Sequence, residues 1–127
     1  MAPPPDLWRI YHVAHCAHAR PAPKAKLVVI VCRDALAMGF LINSEIDPWI
    51  QISKERMACQ APIRAEEHPG CLTYDGYVDC LELYPFEDFE LTEPRDAVSE
   101  NLRAAILASV RNAITIPRRY RRLILNE

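Results

Sequence analysis

The sequence predicts an α+β, mostly β domain: a small, bent antiparallel barrel with one C-terminal helix. Three observations carry this. Short apolar segments with strand character recur between residues 7 and 84. The hydrophobic period then lengthens to four residues between 98 and 114. Strands first and helix last is the order of an α+β fold or small barrel, not of repeated βαβ units.

The elements follow in order. Residues 1–6 hold three consecutive prolines and read as a flexible lead, neither helix nor central strand. A single domain is expected over 7–127, a usual length for one core. LWRIYHV (7–13) alternates bulky and polar residues as a strand does. AHCAHARPAPKA (14–25), with Pro21 and Pro23, reads as a long loop. KLVVIVC (26–32) is a continuous β-branched run, the pattern of a strand buried on both faces. MGFLIN (38–43) is a third strand, ended by the turn signal NSEIDP, and WIQIS (49–53) alternates as a fourth. Residues 54–69 are polar and proline-broken, a loop with room for one short strand. CLTYD (71–75) and GYVDCLELY (76–84) read as two more strands, the second stopped by Pro85.

In the last third, Val98, Leu102, Ile106, Val110 and Ile114 mark one face of an amphipathic helix over about 97–114. Asp96 or Ser99 can cap it, because a carboxylate or hydroxyl accepts from an otherwise unpaired backbone N–H. Pro117 ends it, leaving RRYRRLIL (118–125) as a basic tail.

Composition excludes several functions. Three glycines, at 39, 70 and 76, lie too far apart for a phosphate loop or a dinucleotide fingerprint. No apolar run is long enough to span a membrane, and the start lacks the charged and apolar regions of a secretory signal. Five cysteines without C-x-x-C spacing read as reduced thiols in a cytoplasmic protein. His12, His15 and His18 with Cys16 are close in sequence, but three-residue spacing in extended chain diverges, so no metal site and no cofactor is expected.

Charge is segregated. Residues 75–100 carry nine acids against one base, whereas 101–126 carry six arginines and no acid. The helix dipole accounts for part of this. The cluster Arg118, Arg119, Arg121 and Arg122 is either a solvated tail or a contact patch for an acidic partner. The other cations of interest are Arg20, Lys24 and Lys26, which precede the most apolar strand, with Arg33 at its far end. Ser44 follows the third strand behind Asn43. A hydroxyl and cations at neighbouring strand ends are what phosphate binding and phosphoryl transfer need.

CLTYDGYVDCLELY (71–84) resembles the segment L-x-x-D-S-[YW]-V-D-C of the MazF/PemK toxin family, matching in Leu72, Asp75, Tyr77, Val78, Asp79 and Cys80. The order of pieces and the final helix, SENLRAAILASVRNAI (99–114), extend the resemblance to about residues 7–116. It implies an SH3-like barrel, a homodimer, inhibition by a small antitoxin, and metal-independent cleavage of single-stranded RNA. The family's catalytic pair maps nearest to Lys26 (or Lys24) and Ser44, with Arg20 and Arg33 as RNA contacts. Ala25-Lys26 stands where the family has Arg-Pro, and lysine lacks the planar fork of arginine. Gly76 stands where the family usually has serine, and TEPRDAV replaces the glycine before the last helix. The alternative is a non-catalytic binding or inhibitor protein on the same barrel, related to CcdB or carried as an accessory by a phage or mobile element. The acidic 75–100 stretch would suit that reading.

Overall fold

The structure is a computed structural model that describes residues 4–127; residues 1–3 of the proline-rich lead lie outside the described residues, and 4–6 form no regular element. Strands β1 (Arg9–Cys16), β2 (Lys24–Arg33) and β3 (Ala37–Asn43) make an antiparallel meander. Two one-turn helices, α1 (Pro48–Gln51) and α2 (Lys54–Met57), lead to β4 (Gln60–Ile63), then β5 (Gly76–Asp79), β6 (Tyr84–Phe86) and β7 (Pro94–Ala97). Helices α3 (Glu100–Asn112) and α4 (Arg118–Leu125) close the chain. The strand order is β4-β5-β3-β2-β1-β7, with β6 sharing the same edge of β3 as β5. The result is a small α+β protein: a curled antiparallel half-barrel with C-terminal helices.

β2 holds the fold together because both of its faces are buried. Val29 and Val31 point into the core under α3 and α4, while Val28 and Ile30 point into a second core with Tyr11, Leu41 and Phe86. Each such side chain contributes about 1.5–3 kcal/mol by leaving water. The uninterrupted apolar run of 26–32 is therefore the signature of a strand with no solvent face.

The helix period also holds, within narrower limits. Ser99 is the N-cap, its hydroxyl accepting from Leu102 N–H at 3.1 Å; the Asp96 carboxylate instead accepts from Gly70 N–H at 2.9 Å. Leu102, Ile106 and Val110 are buried. Ile114 is not, at 88% exposed. α3 stops at Asn112, so the four-residue spacing no longer places Ile114 on the stripe.

Several sequence expectations are corrected. Residues 49–53 are not a strand. Pro48 opens α1, where its fixed φ and missing N–H suit a first helical turn, and five alternating residues do not outweigh that. Residues 54–69 do hold one short strand, β4, but α2 and a 3₁₀ turn take up part of the expected loop. Residues 71–75 form turns. The expected strand 76–84 is broken in the middle, because the Asp79 carboxylate accepts from Leu81 N–H at 3.0 Å and turns the chain. Pro85 lies within β6, where a strand paired on one side tolerates its missing donor. The long loop shrinks to 17–23, since β1 runs to Cys16 and β2 begins at Lys24. Finally, 118–125 is the helix α4 and not a tail: Tyr120 and Ile124, four apart, pack toward the core, Arg118, Arg119 and Arg122 are exposed, and Arg121 is half-buried.

Candidate functional site

The first strands end where the site begins. The β2–β3 register sets Val28 opposite Leu41, which carries Lys26 opposite Asn43 two residues on. Asn43 in turn pairs with Tyr77 of β5. The Lys26 ammonium donates to Asn43 Oδ1 at 2.6 Å, so the cation is held at the strand end by a neutral acceptor. Burial, and secondarily the Lys24 charge, push the Lys26 ammonium below its ordinary pKa, with a smaller opposing pull that includes Asp79.

Around this pair opens a cleft of about 360 Å³ whose lining includes Arg20, Lys24, Lys26 and Ser44. Four of the residues singled out from sequence thus meet in one place. Lys24 and Lys26 are two apart on one face of β2, Arg20 comes from the 17–23 loop, and the exposed Ser44 follows β3. Arg33 is not brought there. It lies at the other end of β2, about 23 Å along the strand from Lys26 at 3.3 Å per residue, and pairs with Asp88.

The cleft also contains residues that sequence reasoning missed. His18 stacks on Tyr84, ring centroids 4.5 Å apart, and meets Phe86 edge-on. Its Nε2 lies 2.9 Å from the Pro85 carbonyl oxygen. A carbonyl only accepts, so Nε2 carries the hydrogen and Nδ1 of the neutral ring is left as a proton acceptor. The sequence offers His18 only as one of three diverging histidines; its place two residues before Arg20, in the same proline-containing loop, is the signal that links it to the cleft. Asp79, Glu82, Glu45 and Asp47 add carboxylates to the wall. Two are already engaged: Asp79 accepts from Gln60 Nε2 at 2.9 Å, and Glu82 accepts from the Tyr84 hydroxyl at 2.6 Å. Burial first, and that bond second, push the Tyr84 phenol up to about 12.

The remaining candidates sit elsewhere. Arg119 pairs with Asp34 at 2.8 Å and lies over the Tyr120 ring. Arg118 and Arg122 are exposed on α4, and Arg121 Nη2 reaches the Arg111 carbonyl at 3.5 Å. His12 faces Glu93, and His15 is exposed, so the three histidines diverge. Among the described residues, no three His, Cys, Asp or Glu side chains lie close enough together to hold a metal ion. All five cysteines are unpaired, four of them buried; burial pushes the Cys32 thiol up to about 11, which keeps it protonated and unreactive. No helix is long and apolar enough to cross a membrane. Compared with protein-family models and with curated proteins, the sequence matches none.

Proposed function

We propose that the protein is an endoribonuclease that cleaves single-stranded RNA at the Lys26–Asn43–Ser44 strand end, with no metal in the reaction. The observation that carries this reading is the convergence of Arg20, Lys24, Lys26 and Ser44 on one cleft. Three cations supply the charge that a phosphodiester develops as it becomes pentacoordinate, and the Ser44 hydroxyl donates to a non-bridging oxygen. His18 Nδ1 takes the proton of the ribose 2′-hydroxyl, and the 2′-oxygen attacks phosphorus. The bond from phosphorus to the 5′-oxygen breaks. Lys26, whose burial makes its proton easier to give up, protonates that leaving oxygen. The products are a 2′,3′-cyclic phosphate and a 5′-hydroxyl, and every proton is accounted for.

On this reading the barrel belongs with the MazF/PemK toxins it resembles in sequence. Its partners are then RNA, a second copy of the chain and a small antitoxin, in the cytoplasm. The arginine face of α4, with Arg118, Arg119, Arg121 and Arg122, is the contact for an acidic partner.

The test is incubation of the purified protein with long single-stranded RNA in EDTA. Fragments ending in cyclic phosphate are expected, and they disappear in Lys26→Ala and Ser44→Ala. Intact RNA overturns the nuclease and leaves the barrel as a protein-binding module, as its four cleft carboxylates would then suit.

A further inference from the structure

Lys26, Asn43 and Ser44 do not sit at the bottom of one pocket. They form a ridge between two hollows, the cleft of about 360 Å³ and a second of about 270 Å³ on the other side. Each hollow has one aromatic ring on its wall that the fold leaves in water. On the first side it is Trp49, 51% exposed; on the second it is Tyr74, 79% exposed. Large aromatic rings gain most by burial, so one on each flank of a cationic ridge is a feature to explain.

Both rings are supported. The Arg56 guanidinium lies 4.6 Å from the Trp49 ring centroid and donates to the Trp49 carbonyl at 2.8 Å, bracing one side of the residue. Tyr74 precedes Asp75, whose carboxylate accepts from Ala65 N–H at 2.8 Å and pins the turn. The surrounding charge is informative too. Lys26 is the cation of the ridge; in the first hollow Arg20 and Lys24 face four carboxylates, Glu45, Asp47, Asp79 and Glu82, and Asp75 lines the other, so away from Lys26 acids outnumber bases on both sides. Such a surface attracts phosphate at its centre and repels a backbone that would track along the hollows. A duplex, with two charged strands and inward bases, does not fit that pattern.

We infer that Trp49 and Tyr74 are base-stacking platforms on either side of the ridge, so that the site takes an unpaired dinucleotide step of RNA with one base in each hollow. Stacking tolerates any base because every base has a π face. The inference rests on reading the ridge as a phosphate site on single-stranded RNA, and it adds the bound shape: two bases splayed apart, few phosphates held.

The experiment measures binding and not cleavage. The probe is a fluorescent mixed-sequence single-stranded 12-mer, 2′-O-methylated throughout so that it cannot be cut, titrated with the full chain by anisotropy. Trp49→Ala and Tyr74→Ala should each weaken binding about tenfold or more, while Trp49→Phe and Tyr74→Phe retain it. Phe89→Ala, an exposed ring away from the ridge, should change nothing. With at most three cations in contact, the slope of log K against log salt should be no steeper than about −2. An unlabelled duplex of the same pool should not compete. If Lys26→Ala abolishes binding but the two aromatic variants bind as the wild type does, stacking is overturned while the phosphate ridge stands. If the wild type does not bind the 12-mer, or Lys26→Ala binds equally well, the ridge reading fails and the inference with it.

Discussion

The imidazole Nε2 of His68 accepts the backbone N–H of Ser99 at 3.1 Å, tying the loop before β5 to the first residue of the α3 cap. Since Nε2 accepts, Nδ1 carries the hydrogen and donates to the Arg64 carbonyl at 3.1 Å. The ring is fully buried. Beside it, the Glu67 carboxylate accepts from Asn101 Nδ2 at 3.0 Å and Ser99 Oγ at 2.8 Å, and those bonds hold it below the usual carboxylate range. One loop thereby satisfies donors at the start of a helix 30 residues on.

That geometry makes His68 expensive to lose. His68→Phe keeps most of the volume but strands the Ser99 N–H and the Arg64 carbonyl, whose bonds to the imidazole are part-buried; an unmet group costs about 1–3 kcal/mol where water is fully excluded and less where it is not. We expect a loss of about 2–4 kcal/mol in urea unfolding, with an unchanged denaturant slope. A variant within 0.5 kcal/mol of the wild type would show that water replaces the imidazole there.

The α3 stripe gives a paired test. Ile106 is completely buried, whereas Ile114 is 88% exposed past the end of the helix. Ile106→Asp should cost several kcal/mol, because it buries an unpaired carboxylate. Ile114→Asp should fall within about 0.5 kcal/mol of the wild type. Equal melting temperatures for the two variants would contradict the docking of α3.

What the sequence reveals and what it hides follow from the range of the physics. The 26–32 run and the 102–110 stripe are legible because burial on two faces, or on one helical face, dictates side-chain type at every position. Lys24 and Lys26 are legible because their place at the start of β2 follows from the strand, whereas Arg33, at its other end, lies outside the cleft. Trp49 misleads, since Pro48 decides its local structure by a single backbone constraint that five alternating residues conceal. Trp8 misleads in another way. Its φ of 58° is set by the distant partners Ile30 and Val98, whose backbone groups bond to it, so the strand starts two residues later than the pattern implies. His68 leaves no local signal, because both its partners are backbone groups and one is 31 residues away.

Gly76 is a third prediction. A Cβ built there would stand 2.7 Å from the Asn43 carbonyl oxygen, closer than any side chain tolerates. The constraint is spatial and comes from the close pairing of β5 against β3. Gly76→Ser should therefore cost about 1–3 kcal/mol, and it should do so beside Asn43, the residue that accepts from Lys26. Wild-type stability in Gly76→Ser would mean that β5 moves away freely and that a serine can be accommodated here.

Lys26 offers a prediction that joins stability to chemistry. Burial makes the charge of its ammonium costly in the folded chain and not in the unfolded one. As pH rises, the folded chain gives up this proton first, at its lowered pKa, and the unfolded chain does so at the ordinary lysine value of 10.5. Between those points the unfolded state binds more protons, so this residue makes stability increase with pH, and the penalty is gone above 10.5. Lys26→Met removes the charge and keeps the stem. It should be more stable than the wild type at pH 7, the gap should close through the alkaline range, and RNA cleavage should be lost. Lys26→Arg keeps its proton throughout, so like Lys26→Met it should lack the wild type's alkaline rise in stability, yet its guanidinium still neutralises phosphate and some cleavage should remain. Urea unfolding from pH 7 to 11 for the three proteins measures this. Parallel wild-type and Lys26→Met curves would show that the Lys26 ammonium is as well solvated as in the unfolded chain, and the buried proton donor proposed for the leaving oxygen would go with it.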